Sequence, residues 1–240
     1  MKIQHTSREV WRVGYPPDPW QWADWKWAAP EGRFQGRWDA LDGGLYRTLY
    51  VGGSLFACLV ELLAPLRPGP VLAERLGEIT VEPEDAAQAP TEEPGVIDVD
   101  DWTARRRAGS AHLTGRFCVV TAFETIAALR PRFAGIATGG LGLADFDAAA
   151  LTDGRPRLLT QAVSPHLWEM RQKDGAVRCD GVEFLSRHGD DLPLWAVFER
   201  PGDGEISPHL TDTAEHALTR DTPDLVRAFE LHGLRMRPRP

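Results

Sequence analysis

The chain is short of several things that would assign its class at once. Only three cysteines occur among 240 residues, Cys58, Cys118 and Cys179. They are odd in number, far apart and set in apolar surroundings, which argues against a disulfide scaffold and favours small core residues in a reducing compartment. There is no CxxC and no His-Glu-x-x-His, and the seven histidines are scattered, so no metal-ligand spacing is present and no metal is expected. Long apolar runs are missing too. The longest nearly apolar stretch, Leu49 to Val60, is interrupted by glycines and ends on Glu61, too soon to cross a bilayer. The N-terminus, MKIQHTSREV, carries no apolar signal segment, and the expected location is the cytoplasm. No short period recurs, which excludes a repeat array.

An excess of positive charge is also lacking. Acids outnumber bases 35 to 27, for a formal net charge of -8. The imbalance is local: residues 81–102 hold Glu82, Glu84, Asp85, Glu92, Glu93, Asp98, Asp100 and Asp101 and no Lys or Arg. The rest of the chain is neutral, with no basic field to gather nucleic acid, so neither direct nucleic-acid binding nor membrane attachment is expected. Arg105, Arg106 and Arg107 follow at once and read as a solvated face answering those acids.

What is present is an ordinary globular composition. Hydrophobic residues at 42% and charged residues at 26% argue against disorder or a coiled coil. The length fits one large domain, or one domain with a modest appendage. The first forty residues are dense in tryptophan (Trp11, Trp20, Trp22, Trp25, Trp27, Trp38) and proline, which suits a packed, irregular segment whose indoles need cover. Leu45 to Val51 reads as a strand, Gly52 and Gly53 as a turn, and Ser54 as the N-cap of a helix stopped by Pro65. Pro83 to Gly95 is the best loop candidate.

Farther on, Arg116 to Thr121 reads as a buried strand, Glu124 to Leu129 as a short helix halted by Pro131, and Gly139 to Gly142 as a turn. Leu158 to Met170 is helical, with Ser164 and Pro165 at the start of a second segment. Gly181 to Leu185 and Leu194 to Phe198 read as strands of a hairpin with a polar tip at 186–191, and a last helix runs from Thr222-Pro223-Asp224 to about Leu231. Strands and helices mixed in this order predict an α+β fold, a mixed α/β sheet with flanking helices, over a doubly wound parallel one.

Within the predicted helix 55–64, Glu61 is the only polar side chain. It marks either the one solvent-facing stripe of a buried helix or a carboxylate kept at a pocket wall despite its desolvation cost. Tyr50 ends the strand before that helix, Arg37 lies in a loop-like Gly-Arg-Trp-Asp, and Arg12 interrupts a short apolar stretch; each has an ordinary surface or packing reading. Ser186-Arg187-His188-Gly189-Asp190 sets Ser, His and Asp together, but adjacency is not triad geometry, and no Gly-x-Ser-x-Gly elbow is present. The Gly-rich sequences match neither a Rossmann nor a P-loop pattern.

Taken in order, Trp-Arg-Val-Gly (11–14), Gly-Arg-Trp-Asp (36–39), Tyr-Arg-Thr-Leu-Tyr (46–50), Leu-Val-Glu-Leu-Leu (59–63) and Asp-Gly-Val-Glu-Phe-Leu-Ser-Arg-His-Gly-Asp (180–190) resemble the RES domain over residues 8–200, leaving 201–240 as a C-terminal extension with a short helix. The resemblance implies a fold similar to that of ADP-ribosyltransferases of the diphtheria-toxin kind, and the toxin role of RES-Xre toxin-antitoxin pairs. It implies NAD as substrate, no required cofactor, water or inorganic phosphate as acceptor, and an Xre-type antitoxin as partner. It places the family arginine on Arg37, with Arg33 as the alternative because Leu41 to Gly44 look inserted. The tyrosine falls on Tyr50, the glutamate on Glu61, the serine on Ser186 and a further pocket arginine on Arg12. In that reading Glu61 stabilises an oxocarbenium-like ribose, Arg12 and Arg37 clamp the pyrophosphate, Tyr50 stacks on nicotinamide or ribose, and Ser186 binds the carboxamide or a hydroxyl. Two other readings of the same chain are a protein ADP-ribosyltransferase and a non-catalytic nucleotide-binding partner protein.

Overall fold

A computed structural model describes residues 1–69, 93–153 and 157–239. Its framework is a six-stranded mixed sheet with flanking helices, as the order of sequence elements predicts. Strand β1 (Ile3–Gly14) runs antiparallel along β4 (Arg107–Val119), with Ile3 opposite Cys118 and Gly14 opposite Arg107. Strand β2 (Thr48–Gly52) pairs with β6 (Gly189–Phe198), and β6 pairs with β5 (Gly181–Ser186). The last residues of β4 lie parallel to β5, and one pairing, Trp11 opposite Gly52, joins β1 to β2. The five strands thereby close into a ring, and β7 (Leu210–His216) lies against the first half of β4.

Side chains alternate across these strands, and the alternation decides what reaches the site. Leu49, Val51, Trp195 and Val197 join Val10, Leu113, Phe117, Trp20 and Trp22 in one apolar cluster. The residues between them in sequence (Tyr50, Leu194, Ala196, Phe198), with Val182 and Phe184 of β5, face a second cluster formed with the helices. That helical layer includes α1 (Leu55–Leu63), α2 (Val99–Ala104), α3 (Phe123–Gly135), α4 (Ala148–Thr152), α5 (Arg157–Glu169) and α6 (Pro223–His232). Helix α5 presents Leu159, Val163 and Leu167 to it, one stripe at four-residue spacing. Residues beyond 200 are woven into the same body: β7 extends the sheet, α6 packs on α1, and β3 (Val96–Ile97) pairs in parallel with β8 (Arg235–Met236).

Several elements depart from sequence expectation for physical reasons. Strand β2 starts at Thr48 because Tyr46 turns into the core, its hydroxyl 2.6 Å from Ser164 Oγ and its ring stacked on Trp168, while Arg47 is drawn to Glu199. Pro131 and Pro165 lie inside α3 and α5 and stop neither. Ser164 opens no new segment; its hydroxyl bonds the Trp38 carbonyl at 2.6 Å, and continuous burial of one helix face outweighs the hydrogen bond that proline removes. After α3 the chain continues as one π-helical turn, Ile136–Gly140, so the break predicted at 139–142 comes at Gly142, with φ 66°. The hairpin tip is only Arg187-His188, since Gly189 already pairs with Ser186.

Of the three arginines expected to answer the acidic stretch, only Arg105 does so among the described residues, on Asp101; Arg106 lies over Trp102 and Arg107 pairs with Glu215. Glu93, Asp98 and Asp100 are met instead by Arg235, Arg237, Arg239 and Arg220. Most of the loop candidate 83–95 lies outside the described residues. All three cysteines are buried free thiols, with Cys58 and Cys118 pushed up to about 12 by burial. Among the described residues no helix is long and apolar enough to cross a membrane.

Candidate functional site

The site is assembled from α1, the end of β5 and the turn before β2. Helix α1 starts where predicted because Ser54 Oγ accepts the Ala57 N–H at 3.1 Å, and it ends as Pro65 enters a 3-10 turn. Glu61 is half-buried. Ser186 Oγ, fully buried, donates to Glu61 Oε1 at 2.5 Å, a separation of 125 residues in sequence. Val182, Phe184 and Ser186 alternate onto the helix-facing side of β5, which brings that hydroxyl under α1. Ser186 Oγ also accepts the His188 backbone N–H at 3.0 Å, so its proton and a lone pair are both committed and the carboxylate is held in one orientation.

Arg37 arrives on a turn built from the inside. Asp39 accepts from the Gly36 N–H and, at 2.9 Å, from the Tyr50 hydroxyl, and Tyr50 Oη in turn accepts the Trp38 N–H at 2.8 Å. Gln161 Nε2 donates to the Gly36 carbonyl at 2.9 Å. Residue 36 must be glycine here, since a Cβ would collide with Tyr50 Oη and Asp39 Oδ2. The turn lays the Arg37 guanidinium over the Phe184 ring, 5.4 Å from its centroid. There Nη1 is buried with no partner among the described residues. Burial pushes the Arg37 pKa below its usual value, and the negative charge of Glu61 is the largest effect opposing that.

The Tyr50 hydroxyl is tied into the Arg37 turn, and burial holds it well above the usual tyrosine range as a neutral donor. Arg12 also turns inward. Its Nε donates to the Pro19 carbonyl and Nη1 to the Tyr50 carbonyl at 2.9 Å, beside Cys58 rather than Glu61. Burial lowers it to about 10, still a cation at neutral pH. Arg33, the alternative to Arg37, likewise has a buried Nε without a partner among the described residues.

Sequence reading overlooked the surroundings of the pair. Arg67, just past α1, places Nη2 2.6 Å from His188 Nδ1, and the His188 ring meets His232 of α6 edge to face at 5.8 Å. His188 reaches Ser186 through its backbone N–H rather than its ring, so no Ser-His triad forms. Arg67 carries no sequence signal. His232 does carry one: it completes the apolar stripe Leu225, Ala228, Phe229 at helical spacing.

No family model and no curated protein matches the chain. Among solved structures it is similar to the crystal structure of the M. tuberculosis MbcT-MbcA toxin-antitoxin complex, with a TM-score of 0.45 and 16% identity over 96% of this chain and 92% of that one. Neither the fold nor the site depends on that likeness, since both follow from contacts among this chain's own residues.

Proposed function

We propose that the protein cleaves the nicotinamide-ribosyl bond of NAD, with water or phosphate as acceptor. The observation that carries the reading is the carboxylate of Glu61, fixed by Ser186, within electrostatic reach of the Arg37 guanidinium, which retains a buried N–H without a partner among the described residues. Breaking that bond leaves positive charge on the ribose, as in glycoside hydrolysis. Ser186 takes Oε1 of Glu61, which leaves Oε2 to accept from the ribose hydroxyls and to lend negative charge as the bond stretches. That interaction is stronger in the transition state than in the ground state. The free Nη1 of Arg37 suits a phosphate oxygen, and its planar fork, backed by Phe184, gives a directional charge-assisted bond. Tyr50 and Asp39 set the angle of that arginine, and Arg12 braces the β1–β2 junction beside them.

Support for the substrate class comes from the resemblance to RES domains, and the same resemblance supports a toxin role countered by an Xre-type antitoxin. Nicotinamide release from NAD, followed with and without phosphate, tests the chemistry and identifies the acceptor. Glu61→Gln should cost about 3 kcal/mol of transition-state stabilisation, about a hundredfold in rate. Equal NAD loss with the wild type and this variant would remove the reading, and a protein carrying added ADP-ribose would redirect it to a transferase. Expression alone should lower cellular NAD and arrest growth; unchanged NAD and growth would remove the toxin role.

A further inference from the structure

We propose that His232, in the C-terminal helix α6, is a positioning residue of the Glu61 site, joining the helix that carries Glu61 to the turn that holds Ser186. The inference rests on Glu61 being the carboxylate that assists NAD cleavage, and it extends the site to a segment beyond residues 8–200, for which the resemblance supplies no role.

The stripe Leu225, Ala228, Phe229, His232 turns the histidine inward, and it is only 5% exposed. Gly233, left-handed at φ 63°, ends the helix immediately after it and fixes its place. Its Nε2 lies 2.8 Å from the carbonyl oxygen of Val60, the residue before Glu61. A carbonyl only accepts, so Nε2 carries the proton and Nδ1 is left as a bare acceptor. That Nδ1 is buried without a partner among the described residues. A leucine would fill this place without an orphaned acceptor, so packing alone does not account for an imidazole. What the imidazole adds is the donor to Val60, whose carbonyl also takes the Ala64 N–H that closes α1.

The same ring meets the His188 ring edge to face at 5.8 Å, and the His188 N–H is the donor that orients Ser186 Oγ towards Glu61. One side chain thus touches both supports of the Glu61–Ser186 bond. Burial keeps His232 below its usual pKa, in agreement with a neutral donor.

The test compares His232→Leu, which fills the space without a donor, with His232→Gln, whose amide N–H₂ restores one. Two quantities are read: kcat and KM for nicotinamide release, and hydrogen exchange of the His188 amide against amides of β4. The leucine variant should lose kcat on the order of tenfold with KM for NAD nearly unchanged, since displacement of a catalytic group is felt in the chemical step. Its His188 amide should exchange about tenfold faster while β4 amides keep their rates, and glutamine should reverse both effects. Wild-type kcat and wild-type His188 exchange in the leucine variant would overturn the proposal. So would a uniform acceleration at His188 and β4 alike, the mark of a general loss of stability. If the wild type releases no nicotinamide, the NAD reading fails by itself, and the exchange comparison still decides for or against His232.

Discussion

Ser186 and Glu61 share a 2.5 Å hydrogen bond that ties the last residue of β5 to the last turn of α1. A hydroxyl bonded this closely to a carboxylate is a charge-assisted contact, and it is aimed because the hydroxyl also accepts the His188 N–H. The carboxylate therefore loses little further freedom when a substrate arrives.

Ser186→Ala removes that contact and leaves Glu61 to rotate. A hydrogen bond to a charged group contributes about 1.5–3 kcal/mol, so kcat for nicotinamide release should fall roughly tenfold to a hundredfold. KM should change little, because the proton of Ser186 Oγ is already given to Glu61 and the same oxygen already accepts the His188 N–H. A variant with raised KM and undiminished kcat would instead return Ser186 to direct substrate binding.

Tyr50→Phe takes a donor from Asp39 and an acceptor from the Trp38 N–H, both buried. Leaving such groups unsatisfied costs about 1–3 kcal/mol each at most, so unfolding in urea should move to a lower midpoint. Because the Arg37 turn is what loosens, KM for NAD should rise as well. An unaltered KM would mean that the tyrosine hydroxyl does not govern the arginine.

Strands β2, β5 and β6, the end of β4 and the capped start of α1 are legible in the sequence because apolar patterning and Ser54 state them locally, whereas β7 and the first half of β4 are not. The polarity of Glu61 in an apolar run points to a site, yet it does not name a partner. Ser186 lies 125 residues away, and only the closed order of strands brings it near. The prolines mislead for the same reason: Pro131 and Pro165 are local stop signals overruled by burial of whole helix faces. The inward turns of Tyr50 and Arg12 depend on main-chain groups of the Arg37 turn and of Pro19, which no side-chain pattern announces.

Acidification should weaken the folded state through His188. Burial foremost, and then the positive charges of Arg67 and Arg187, lower its pKa from 6.5 to about 4, with Glu61 opposing. Between those values the unfolded chain binds a proton that the native protein refuses, so stability is greatest above pH 6.5 and declines as pH falls towards 4. Burial shifts His166 and His232 in the same direction. Melting temperature followed across that window should drop on acidification, and His188→Gln should flatten part of the slope. A wild-type melting temperature that rose on acidification would contradict this account.

The closed ring of strands also sets a time order during synthesis. Strand β1 leaves the ribosome well before the partner that covers its whole length, β4, which begins only at Arg107, and Ser186 follows later still. Pairings so distant along the chain form late. A nascent polypeptide that has not reached the β5–β6 hairpin holds Glu61 without the hydroxyl that orients it, so the Glu61 site is completed only after both its own helix and that hairpin have been made.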